Sequence, residues 1–339
     1  MILTADKLKE LALGAEDITE SEKGIEFSRF NKAERDLYLA STLESRTHTP
    51  AGVQLYFKTD AEAVNICVEA ENCLDRSFFC IDVICNGELA GCIRNFDENH
   101  MVGFYSWDKY PLGEYSETVE LGKGEKEVKI QLPWSVRTYI KEIDLVGASY
   151  AEGIKKEKSI ILYGDSITHG YDSIHPSNAY SVRLAEALGY ECVIKAVGGE
   201  CFLPELASVK QVRKPEIVTV AYGTNDWSSR NKERFDKNSR DFIKRLRENY
   251  PESKIFVLSP IWRKDNITPN KTGTDFDDIH YIEKALRSVC LQVGNVNFIR
   301  GWDFIPQDEN LYGDLRLHPN DKGFLCYADS LFREISDKI

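Results

Sequence analysis

Three segments hold the side chains that nucleophilic acyl chemistry requires: Ser166 in IILYGDSITHG (160–170), Asn225 in AYGTNDW (221–227) and His318 in DLRLHPND (314–321). A serine hydroxyl is a weak nucleophile until a base takes its proton and donors await the developing oxyanion. Ser166 stands where an apolar run gives way to a helical pattern, and Gly164 permits the abrupt exit. Its own N–H is therefore expected to be free near the positive end of a helix. The plainer alternative makes Ser166 an N-cap. In VGGE (197–200) two glycines follow another apolar run, and Gly199 N–H is the second candidate donor, against a simple strand-to-loop turn. The Asn225 amide is the third, a kind of donor worth on the order of 3 kcal/mol in comparable sites. Asp226 beside it suits an Asx turn.

Six histidines compete for the base. His48 and His100 fall in the first half, and His280 lies in a helical pattern among charged neighbours. His169 and His175 follow Ser166 too closely to approach its Oγ from a good direction. That selects His318, since an imidazole titrating near about 6.5 can take and return a proton at neutral pH.

Two kinds of periodicity must position these groups. From about Phe27 to Leu145 apolar residues alternate with polar ones, as in Val53, Leu55, Phe57, in Val64, Ile66, Val68, Ala70 and in Val128, Ile130, Leu132. Period two predicts strands with one buried face, and turns such as CNGEL and GKGEK predict an antiparallel β-sandwich, jelly-roll-like. Only the first dozen residues read as helix there. After GIKKEKS (153–159) short apolar runs alternate with helical patterns over 178–188, 235–250 and 276–293, which predicts a parallel sheet covered on both faces. The expected organisation is a sandwich over 1–155 and a three-layer, flavodoxin-like α/β domain over 156–339. Ligand-binding groups in such sheets gather at the carboxyl ends of the strands. Ser166, Gly199, Asn225, Trp262 and Arg263 each follow a predicted strand, and His318 precedes the last helix.

The four segments together resemble the SGNH hydrolase family, also called GDSL esterases, whose blocks contribute Ser, Gly, Asn and His in this order. The resemblance covers about Ser159 to Ile339 and rests on GDSIT, the glycine pair of IKAVGGE, GTND and HPND. It implies Ser166 as nucleophile, Ser166, Gly199 and Asn225 as oxyanion donors and His318 as base. The family's acid normally stands three residues before the histidine, where this chain has Leu315. Either Asp314, one residue further away, orients His318, or a backbone carbonyl does and the site is a Ser–His dyad; we adopt Asp314. A sandwich ahead of such a domain resembles bacterial carbohydrate acetyl esterases. ERDLYLAS (34–41) is similar to a Gly-x-Asp-Leu-Tyr element of related proteins, with Glu34 in place of the glycine.

The resemblance implies a serine esterase acting on small acyl esters, acetyl foremost, on carbohydrates. Trp227, Trp262 and Trp302 offer sugar-stacking faces, each with a partial-core role as the alternative. A lipase, thioesterase or acyltransferase would use the same residues. A metallophosphoesterase built on Asp165, Asn225, Asp226 and His318 lacks ligands for two metals, so no metal or cofactor is expected. A non-catalytic carbohydrate-binding protein is disfavoured by the joint presence of Ser166, Asn225 and His318.

The net charge of −12 excludes a general nucleic-acid binder. The nine cysteines, none in a CxxC pair, read as buried free thiols of a reducing compartment. The N-terminus shows no signal peptide, and no run approaches a membrane span. A cytoplasmic protein with no membrane partner is expected, with homo-oligomerisation left open.

Overall fold

The computed structural model describes residues 1–73, 75–211, 213–266 and 273–339. Helix α1 (Ala5–Leu11), capped by the Thr4 hydroxyl, opens the chain. The strands of the first half are β1 (Ala12–Leu13), β2 (Asp17–Ser21), β3 (Gly24–Ser28), β4 (Gln54–Thr59), β5 (Ala63–Asn72), β6 (Cys80–Cys85), β7 (Glu88–Arg94), β8 (Gly113–Glu120), β9 (Lys126–Gln131), β10 (Val136–Val146) and β11 (Ala151–Gly153). A short helix, α2 (Lys32–Asp36), interrupts them after β3. They form two antiparallel sheets, β1-β4-β9-β6-β7 with β11 also on β4, and β2-β3-β10-β5-β8. Alternate residues of both, among them Leu55, Phe57, Ile81 and Ile130 facing Val64, Ile66, Ile140 and Ile143, fill one buried core. This is the antiparallel sandwich that the alternation predicts.

The second half carries β12 (Ser159–Gly164), α3 (Ser166–His169), α4 (Tyr180–Leu188), β13 (Glu191–Ala196), β14 (Ile217–Ala221), α5 (Thr224–Ser228), α6 (Lys232–Asn249), β15 (Lys254–Leu258), α7 (His280–Val293), β16 (Val296–Ile299) and α8 (Asp321–Ser336). Its sheet is parallel throughout, in the order β13-β12-β14-β15-β16. Helices α6 and α7 cover one face through Phe242, Leu246, Ile282 and Leu286. Helices α4 and α8 cover the other through Leu184, Phe324 and Leu331. The helix expected from Phe276 starts instead at His280, after a 3-10 turn over Asp275–Asp277 capped by Thr274. Among the described residues no helix is long and apolar enough to cross a membrane.

The stretch between β3 and β4 belongs to the first half in sequence but packs on the second. Phe30 and Tyr38 are buried with Val193, Val197 and Phe202 beside the parallel sheet. Glu34 explains why α2 docks there. Its carboxylate closes a capping box on Asn31 N–H, accepts from Lys195 Nζ at 2.6 Å and from Gln211 Nε2 at 2.6 Å. Glu34 and Lys195 side chains are both 0% exposed, and burial holds the Lys195 ammonium below its ordinary range against the pull of Glu34.

Removing one member of such a pair strands a buried charge, a loss of roughly 3–5 kcal/mol. Glu34→Ala is expected to cost that much in urea unfolding. The double variant Glu34→Leu with Lys195→Met should recover a large share of it, and simple additivity of the two single losses would refute the coupling.

Candidate active site

Strand register brings Ser166 and the candidate donor segments to one edge. Gly164 at the end of β12 pairs with Ala196 of β13 and Ala221 of β14, so the three strands end level. Ser166, Gly199 and Asn225 follow within a few residues. Gly164 is required because a Cβ there would lie 2.1 Å from Thr168 Oγ1, where the chain doubles back into α3. Asp165, not Ser166, is the N-cap: its Oδ1 accepts from Ile167 N–H at 3.0 Å. Burial pushes the Asp165 carboxyl up to about 6. Ser166 is thereby left as the first helical residue, and its N–H has no acceptor among the described residues.

His318 sits in the loop before α8, and an Asp314 carboxylate organises that loop. Asp314 Oδ1 accepts from the N–H groups of Arg316 (3.0 Å), Leu317 (2.7 Å) and His318 (3.0 Å). Its Oδ2 lies 2.8 Å from His318 Nδ1, and His318 Nε2 lies 2.8 Å from Ser166 Oγ. Burial raises the carboxyl pKa, but His318 and the backbone donors outweigh it and hold the group well below the usual carboxylate range. A proton on Nδ1 donated to this carboxylate leaves Nε2 free to accept from Ser166 Oγ–H. The extra residue between acid and base is absorbed at Leu315, which adopts a left-handed backbone with φ 51°.

The first half supplies residues that sequence reasoning missed. Arg76, 1% exposed, donates from Nε to Asp172 Oδ1 at 3.1 Å, and its Nη2 lies 3.4 Å from His318 Nδ1. Because Nδ1 donates to Asp314, the Arg76 approach is a charge contact rather than a second hydrogen bond. Asp172 is fully buried, accepts from Ser106 Oγ at 2.7 Å, and its Oδ2 is 3.8 Å from His318 Nδ1. Burial pushes its carboxyl up, against the opposing pull of His318 and Arg76. Asp172, Asp314 and His318 could offer a cation three ligand atoms, but the guanidinium beside two of them supplies the positive charge. The Trp107 ring stacks 4.0 Å over Arg76 and is 45% exposed.

The glycine segment is braced in the same way. Arg46 Nη1 donates to Gly198 O at 2.7 Å, and Gly198 N–H donates to His169 Nδ1 at 3.3 Å. His169 Nε2 faces Thr49 Oγ1 at 2.7 Å and Trp134 O at 3.1 Å. Burial pushes its imidazole pKa well down, which keeps it neutral. Gly199 has φ 83°, and its N–H has no acceptor among the described residues. Asn225 Nδ2 donates to Glu200 O at 3.0 Å, tying the third donor to the loop that carries the second.

The tryptophans divide. Trp227 is 1% exposed, beneath the guanidinium of Arg230 at 3.9 Å and near that of Arg263 at 5.1 Å, so it is core and cannot stack on a ligand. The cause is α5: residues two apart on a helix point about 200° apart, so Asn225 and Trp227 face opposite ways. Asp226 likewise forms no Asx turn, its Oδ1 accepting from Phe202 N–H at 3.4 Å. Trp302 is 8% exposed against His280. Trp262 is half-buried, its ring 5.5 Å from that of Tyr312. A cavity of about 740 Å³ lies elsewhere, between Gln131 of the sandwich and Asn178, Arg183 and Phe332, and contains none of the Ser166 group.

The arrangement is similar to solved structures over almost its full length. A salicylyl-acyltransferase from a tetracycline biosynthetic pathway matches at TM-score 0.78 and 20% identity, over 96% of this chain and 94% of that one. A family two carbohydrate esterase from Clostridium thermocellum, in complex with cellohexaose, matches at TM-score 0.65 and 17% identity, over 96% and 98%. An acetyl xylan esterase from the rumen bacterium Butyrivibrio proteoclasticus matches at TM-score 0.62 and 14% identity, over 100% and 97%. At these identities the likeness is one of fold. No curated protein matches the chain in sequence. Residues 162–324, which hold Ser166, Gly199, Asn225, Asp314 and His318, match the model of the GDSL-like Lipase/Acylhydrolase family, so the second half of the chain carries a domain of that family.

Proposed function

We propose that this protein is a serine esterase that removes small acyl groups, acetyl foremost, from carbohydrate esters. The observation that carries the proposal is the chain of two 2.8 Å contacts from Asp314 through His318 to Ser166 Oγ. Ser166 attacks the ester carbonyl while His318 Nε2 takes the Oγ proton. The tetrahedral oxyanion is met by the N–H groups of Ser166 and Gly199 and by the Asn225 amide. His318 returns the proton to the departing alcohol, and water, deprotonated by the same Nε2, releases the acid from the acyl-enzyme. Asp314 stays ionised and holds the imidazole tautomer throughout.

The carbohydrate part of the proposal draws on the esterases of similar fold and on the partly exposed Trp262 beside the His318 loop. The likeness to an acyltransferase supports a second reading, in which an alcohol rather than water takes the acyl group. The proposal treats residues 1–155 as a sandwich domain and 156–339 as the catalytic domain, with Arg46 and Arg76 reaching across. It places the protein in the cytoplasm, on nine free cysteines.

Ser166→Ala should lower ester hydrolysis by roughly 10⁴-fold or more and abolish labelling by a fluorophosphonate; hydrolysis surviving in that variant would remove the serine mechanism. Asp314→Asn should lower kcat by about 100-fold or more, whereas near-normal turnover would leave His318 held by other groups. Because the loop needs a positive φ at Leu315, Leu315→Gly should keep kcat/KM within about threefold and Leu315→Val should lower it, β-branched residues being poorly tolerated at positive φ. Nitrophenyl acetate should be cleaved faster than long-chain esters. Product analysis with added alcohols separates hydrolysis from transfer: predominant transfer would replace the hydrolase reading.

A further inference from the structure

The sandwich carries a second constellation that the proposed reaction does not use. Phe79, Ile81 and Val83 enter the sandwich core, so the intervening Cys80 and Asp82 point out of the opposite face of β6. That face is covered by the 171–178 segment of the second half, leaving Cys80 2% and Asp82 0% exposed. Cys92 of β7 lies directly opposite Asp82 in the ladder and so projects on the same side. His175 completes the group from across the interface. Its Nδ1 is 2.7 Å from Asp82 Oδ1 and 3.8 Å from Cys80 Sγ, and Cys80 Sγ is 3.3 Å from Asp82 Oδ1. Cys80, Asp82 and His175 each offer one ligand atom, all within 4.8 Å of one another.

One sulfur, one imidazole nitrogen and one carboxylate oxygen, with Cys92 projecting on the same side as a fourth ligand, form a borderline-soft set that suits zinc. Zinc bonds of about 2.0–2.3 Å in a tetrahedron put ligand atoms roughly 3.3–3.8 Å apart. The Cys80 distances already match to within a few tenths of an ångström, and only the Asp82–His175 edge must open. Both polar ligands are also held from behind, as metal ligands usually are. His175 Nε2 faces Glu98 Oε1 at 3.2 Å, and Asp82 Oδ2 accepts from Ser177 N–H at 3.0 Å and Ser177 Oγ at 2.6 Å.

We propose that Cys80, Asp82, Cys92 and His175 bind a zinc ion that clasps the antiparallel sheet to the catalytic half. Binding releases the two Sγ–H protons, together with the proton shared between His175 Nδ1 and Asp82, to solvent. No redox change is involved. The clasp fixes the segment that carries Asp172, three residues before His175, against the His318 loop. It replaces the sequence-based expectation of free thiols and no metal at this place.

The test is metal content of the full chain, expressed with zinc and purified under reducing conditions without chelator. About one zinc per chain is expected, falling below about a tenth in Cys80→Ser with Cys92→Ser, and unchanged in the control Cys67→Ser. Because the double variant could misfold, cobalt exchanged into the unaltered protein provides an independent readout: thiolate-to-cobalt charge-transfer absorption is expected. The melting temperature should fall on chelation and recover with zinc. A metal-free protein with all nine thiols titratable would overturn the proposal. So would a Cys80–Cys92 disulfide in its place, or zinc retained by a folded double variant.

Discussion

The geometry of the site depends on one buried carboxylate. Asp314 takes three backbone N–H bonds on one oxygen and the His318 ring on the other. A carboxylate that is 6% exposed is costly unless its lone pairs are met. The loop satisfies it, and in doing so adopts a conformation in which Nε2 reaches Ser166 Oγ. Loop shape, imidazole tautomer and the path of the serine proton are therefore a single electrostatic solution.

The antiparallel half is part of that solution. Arg29, wholly buried, donates to Thr49 O at 2.9 Å and to Ala196 O at 2.5 Å, holding the first half to the end of β13. Burial pushes its guanidinium down to about 10, which still leaves it charged at neutral pH. Arg46 holds the glycine segment, and Arg76 compensates the second acid beside His318. Three arginines of the first half thus reach the second, Arg29 and Arg46 at the end of β13 and Arg76 at the His318 loop. The first half forms a wall of the candidate site and brings positive charge to it.

Much of this was legible in the chain. Alternation revealed the sandwich, the change of period revealed the parallel sheet, and strand ends followed by Ser166, Gly199 and Asn225 pointed to the rim. Those signals are local, set by backbone geometry within a few residues. Arg76 gave no such signal, since it meets His318 across 242 residues of sequence, through an interface whose packing no local pattern records. His169 was set aside for standing too near Ser166 in sequence. It does not face the serine at all, but supports the glycine segment from beneath. Trp227 follows a strand end as Asn225 does, but the short helix α5, which no local pattern announces, turns its ring into the core.

Leu315 carries a wider consequence. A mirror-image backbone conformer lets the chain store one additional residue in a hairpin without altering which atoms it ties together. Motif spacing is therefore a property of sequence bookkeeping, while the closed ring of donors and acceptors is what the loop preserves. Relatives that differ by a single insertion between acid and histidine need not have lost the acid.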